Sequence, residues 1–181
     1  MSTEQEFHAA HQDLNDYVDA FARQVAERGS HPARGQMTQL AQDIKKDARN
    51  IAAGMISAGD AVDIRSGKIA PVGNPDPKPL LARGLTRIQD AAKSIAVNLA
   101  DAGKQVRTMV KDKVPGADQM VKAWDNVLDA TSHYMTLGMK RLTGLARGMD
   151  PEDRYAMGFA SGCRARRTWP STSAGAAFCN L

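Results

Sequence analysis

Residues 79–113 read PLLARGLTRIQDAAKSIAVNLADAGKQVRTMVKDK, and in them Leu81, Leu85, Ile88, Ala92, Ile95, Leu99, Ala102, Val106 and Met109 recur at alternating spacings of four and three. An α-helix turns once per 3.6 residues, so positions i, i+3, i+4 and i+7 share a face, and this stretch predicts a helix with one continuous apolar seam. The same pattern lies on both sides of it. After Pro115-Gly116, where Asp118 is placed to cap a new helix, the seam continues through Val121, Trp124, Leu128, Thr131, Met135, Gly138, Leu142 and Leu145. Val127, Tyr134 and Leu137 widen that face, as a helix with two neighbours requires.

Towards the N-terminus, Met37, Leu40, Ile44, Ala48, Ile51 and Met55, flanked by Ala41, Ala52 and Ile56, form another seam that closes near Gly59. The first segment places Phe7, His11, Leu14, Val18, Phe21 and Val25 in register behind Ser2 or Thr3 as N-cap, and Gly29-Ser30-His31-Pro32 stops it. The reading is therefore all-α: an elongated antiparallel four-helix bundle with helices over about residues 3–28, 36–58, 79–113 and 117–148. Asp150-Pro151 starts a short further helix over 151–159, so the bundle domain spans 1–160. Short connections make the first and second segments one αα-hairpin and the third and fourth another.

Residues 60–78 join these hairpins and have a different character, rich in Gly, Pro and Asp. Within them, Val62-Asp63-Ile64-Arg65 and Lys68-Ile69-Ala70-Pro71 flank Ser66-Gly67, a pattern that allows a small β-hairpin. The prolines at 75, 77 and 79 enforce extended backbone and then supply Pro79 as the first residue of the third helix. A connector this long is unusual inside a compact bundle, which makes Ile64, Arg65, Lys68 and Ile69 candidates for partner binding.

Charge is unevenly distributed behind the net +4. Residues 1–30 hold six acids against Arg23 and Arg28, whereas residues 79–115 hold Arg83, Arg87, Lys93, Lys104, Arg107, Lys111 and Lys113 against three acids. Either the acidic first helix lies beside the basic third, or the basic face, with Arg83, Arg87, Lys104, Arg107 and Lys111, meets an anionic partner. Residues 161–181 lack any period and read as a flexible basic tail in which Arg164, Arg166, Arg167 and Trp169 could grip phosphate and stack a base.

Aromatics make up only 5% of the chain, so Ala, Leu, Val, Ile and Met must fill the core, and Cys163 and Cys179 leave the bundle itself without a thiol. The opening Met1-Ser2-Thr3-Glu4 has neither a basic nor an apolar leader, so a cytoplasmic location is the default expectation, with export by a signal-less route left open. No apolar run reaches the roughly 18 residues that span a bilayer.

No catalytic motif emerges. Gly158-Phe159-Ala160-Ser161-Gly162 misplaces the serine of a nucleophile elbow, and Gly67-Lys68 is followed by isoleucine where a phosphate loop needs Ser or Thr. Glu4, His8 and His11 share a helical face, but the Glu-x-x-His pairs of di-metal bundles are missing, and no catalytic, cofactor or metal residue is expected. The sequence thus points to a non-enzymatic interaction or scaffold module that binds another macromolecule, a protein first, through exposed helix faces or the 60–78 connector. Two alternatives stay open: an amphipathic protein that opens on a membrane or granule surface, and a nucleic-acid-associated protein using the basic third helix and the tail.

Overall fold

The computed structural model describes residues 2–70, 73 and 76–157; the tail expected at 161–181, with Arg164, Arg166, Arg167 and Trp169, lies outside them. Four long helices, α1 (Thr3–Ala26), α2 (Arg34–Arg65), α3 (Pro77–Lys111) and α4 (Ala117–Arg147), and the short α5 (Pro151–Ala156) make an all-α bundle. Helix starts follow local chemistry. The Ser2 hydroxyl accepts from the Gln5 amide nitrogen at 3.2 Å while Gln5 Oε1 accepts from Ser2 N at 2.9 Å, a reciprocal capping box. Asp76 caps α3 by accepting from Lys78 N at 3.1 Å, with Pro77 as the first helical residue, two positions earlier than the expected Pro79.

The small β-hairpin is not formed: Val62, Asp63, Ile64 and Arg65 continue α2. Ala58, Ala61 and Val62 are all buried at helical spacing, and Ala58 and Ala61 meet Leu81 and Met157, so burial extends the helix past the expected stop at Gly59. Gly67, at φ +75°, then turns the chain, and the amides of Lys68 and Ile69 bond the Asp63 carbonyl at 2.9 and 3.3 Å. Asp118, expected as the cap of α4, sits within its first turn, and Gly116 in the left-handed region takes the capping position.

Seam residues of α1, α2 and α3 are buried largely as their spacing predicts. In α4 the buried stripe is rotated towards the expected flanking residues: Val127, Tyr134 and Leu137 are buried with Met120, Trp124, Thr131, Gly138 and Leu142, while Val121 and Met135 are only partly buried and Leu128 is exposed. Packing against α1 decides this, because Phe7 stacks on Tyr134 at 4.7 Å and Phe21 meets Trp124 at 5.1 Å.

Neighbouring helices run antiparallel around a ring, but the closest pairs are α2 with α3 and α1 with α4, so the two chain-adjacent hairpins are not the tightest units. At the α2/α3 crossing Gly54 faces Gly84. A Cβ on Gly84 would lie 2.8 Å from the Gly54 carbonyl oxygen, so the two backbones touch. α1 and α3 sit diagonally, which corrects the expectation that the acidic first helix lies beside the basic third. The acids of α1 pair elsewhere: Glu4 with Arg141 at 3.4 Å, Glu6 with Lys140 at 3.8 Å, and Asp19 with Lys45 at 2.8 Å.

One polar cluster enters the core. The Tyr134 hydroxyl donates to the Ala48 carbonyl at 2.8 Å, and burial pushes its pKa far up. His11 stacks on Tyr134 at 5.4 Å, and burial, followed by His8 and Arg49, holds its pKa below the ordinary value, which disfavours the protonated ring.

Candidate interaction surface

α3 presents a second stripe opposite its buried seam. Lys93, Val97, Ala100, Lys104, Arg107 and Lys111 follow one another at spacings of four, three, four, three and four, and all six are exposed. Among the described residues Lys93, Arg107 and Lys111 have no ion pair, and Lys104 meets only its helical neighbour Asp101 at 3.7 Å. Four cations therefore project from about five turns of helix with nothing from α1 to neutralise them.

Arg83 and Arg87, at the other end of α3, lie beside α2. Arg87 donates from Nε and Nη2 to Asn50 Oδ1 at 3.2 and 2.9 Å. Both arginines line an α2/α3 groove of about 730 Å³ with Asp43, Asp47, Asp90 and Asn98. Its three carboxylates equal in number Lys46, Arg83 and Arg87, so its formal charge is balanced, and no cluster with metal-binding composition occurs among the described residues. Its buried member is Asp47, only 6% exposed, which accepts from Asn98 Nδ2 at 2.9 Å. Burial raises its pKa above the ordinary 3.8, against the lowering by Ser94, Asn98 and Lys46.

A raised folded-state pKa means that the native chain holds this proton more tightly than the unfolded chain, so stability falls as pH rises from the unfolded towards the folded value. Asp47→Asn, which keeps the shape and removes the charge, is expected to melt higher than the wild type at pH 7, and the gap should close as pH falls towards 3.8. Thermal melts across that range check it; a lower melting point at every pH would show the carboxylate to be stabilising.

Of the connector candidates, Ile64 is half-buried and Arg65 donates to Asp153 Oδ1 at 2.7 Å, which ties α5 to α2. Lys68 lies 3.9 Å from Asp63, and Ile69 is 41% exposed. These four belong to the last turn of α2 and its cap, not to an independent hairpin. Arg83, Arg87, Lys104, Arg107 and Lys111 are exposed, in two groups rather than one face.

Sequence reasoning passed over the adjoining helix. Asp118, Asp125 and Asp129 of α4 are exposed and without an ion pair among the described residues. Their spacings of seven and four were the available signal. Val97 at 59% exposure, Val110 at 45% and Leu128 at 39% leave apolar surface on the same two helices. Comparison with protein-family models, with curated proteins and with solved structures returned no match, so this surface is interpreted from its own chemistry.

Proposed function

We propose that the chain is a non-catalytic interaction module whose working surface is the outward face of α3 and α4, and that it engages an acidic protein surface. The supporting observation is the α3 stripe: Lys93, Lys104, Arg107 and Lys111 are exposed and form no interhelical ion pair among the described residues. Surface charges that support neither the core nor a neighbouring helix contribute little to folding and are free to steer a partner. The α2/α3 groove carries balanced formal charge, three carboxylates and three cations, and so favours an ion of neither sign.

Reversing Lys104, Arg107 and Lys111 to glutamate is expected to leave the helix content unchanged, since each exposed pair is worth only about 1 kcal/mol or less. The same variant should lose binding to fluorescein-labelled poly-glutamate, read at low salt and at high dilution of the chain, where copies are apart. Duplex DNA should bind weakly, because about four cations give a log–log salt slope no steeper than roughly −4. A steeper slope would turn the reading towards nucleic acid, and a rise in helix content on adding phosphatidylglycerol vesicles would turn it towards a membrane surface.

A further inference from the structure

Deepening that reading, we propose that the acidic surface met by α3 is α4 of a second copy of this chain, in a dimer whose two-fold axis runs along the bundle. The outward face is self-complementary: α3 carries Lys93, Lys104, Arg107 and Lys111, and α4 carries Asp118, Asp125 and Asp129. Their relative heights are fixed by one contact. A Cβ on Gly103 would lie 3.7 Å from the Trp124 ring, so residues near 103 and 124 are level on these antiparallel helices. Counting away from that point, Lys104 is level with Asp125, Arg107 and Lys111 bracket Asp118, and Asp129 falls between Lys93 and Lys104.

Symmetry then selects the arrangement. A two-fold axis parallel to the helices places each α3 over the partner's α4 at the same height, cation against carboxylate. An axis lying across the helices in the contact plane would set α3 on α3, basic on basic, and is disfavoured. Lys122 weakens the match without reversing it. It stands in the same row, between Asp118 and Asp125 at helical spacing, so the outward row of α4 carries three carboxylates against one ammonium and stays net negative opposite the net positive row of α3.

Area and apolar content agree. α3 and α4, at 35 and 31 residues, give a face of roughly 50 by 20 Å, on the order of 1,000 Å² per copy, against about 800 Å² per partner in stable complexes. Val97, Val110 and Leu128 supply exposed apolar surface on these helices, and α3 and α4 are the most loosely packed neighbouring pair in the ring. The charges set orientation, and the apolar residues gain from burial.

The test uses light scattering of the full chain in reducing buffer, so that Cys163 and Cys179 do not bridge copies. The wild type is expected at twice its 19.5 kDa, shifting towards the single mass in high salt. One variant makes α3 acidic (Lys104→Asp, Arg107→Asp, Lys111→Asp), and a second makes α4 basic (Asp118→Lys, Asp125→Lys, Asp129→Lys). Each alone should be monomeric with unchanged helix content, and their mixture should return to the double mass, because acid then faces base on both sides. A monomeric wild type overturns the proposal, and if it still binds poly-glutamate the interaction module stands without the dimer. A mixture that stays monomeric, variants that dimerise unaided, or a double mass lost on nuclease treatment each overturn it too.

Discussion

Gly84→Val is expected to lower the melting temperature by roughly 6–12 °C, a loss of about 3 kcal/mol at a few degrees per kcal/mol for a chain of this size. The reason is backbone contact. A Cβ at position 84 would lie 2.8 Å from the Gly54 carbonyl oxygen, 3.0 Å from the Ala58 nitrogen and 3.2 Å from the Ser57 Cβ. None of these is the free end of a flexible side chain, so α2 and α3 must separate, which weakens the burial of Ile88, Ala58 and Ala61 between them. A side chain at a helical glycine would gain up to about 1 kcal/mol of propensity, most for alanine and less for β-branched valine, and cannot offset the clash. Gly144 is the internal control. Nothing lies within 4 Å of its would-be Cβ, so Gly144→Ala should raise the melting temperature. Far-UV melts decide between the two, and a Gly84 variant that melts like the wild type would mean that the helices do not touch there.

Phe21→Ala is the second large effect, at about 3–5 kcal/mol in denaturant unfolding. Phe21 is fully buried, and its ring meets Trp124 at 5.1 Å with a 49° tilt, at the junction of α1 and α4. Truncation leaves a cavity edged by rigid helix backbone and removes the aromatic contact as well. Phe21→Leu should recover more than half of the loss by filling the space. A loss under about 1 kcal/mol for the alanine variant would show that the core collapses freely around this site.

The seams of α1, α2 and α3 were legible because each helix has a single phase of apolar residues. In α4 two phases compete: Val121, Leu128 and Met135 are spaced as regularly as Met120, Val127 and Tyr134. Only the aromatics of α1 break that tie, and they belong to another part of the chain. Val62 to Arg65 misled for a different reason, since a run of four alternating residues fits a strand as well as the end of a helix, and burial against Leu81 and Met157 was decisive. The charged surface was half legible. Its cations stand out in the sequence, but helix adjacency does not follow from segment charge, and the acidic row of α4 acquires meaning only once Gly103 and Trp124 fix its height against α3.

The Gly54/Gly84 crossing also bears on the order in which the chain assembles. The α2/α3 pair is linked by contacts such as Arg87 to Asn50, 37 residues apart, whereas closing α1 onto α4 joins Glu4 to Arg141 across 137. Loop-closure entropy favours the nearer pair, so the glycine crossing belongs to the nucleus and the aromatic α1/α4 junction to a late step. On that basis a lesion at Gly84 slows folding, and one at Phe21 chiefly hastens unfolding.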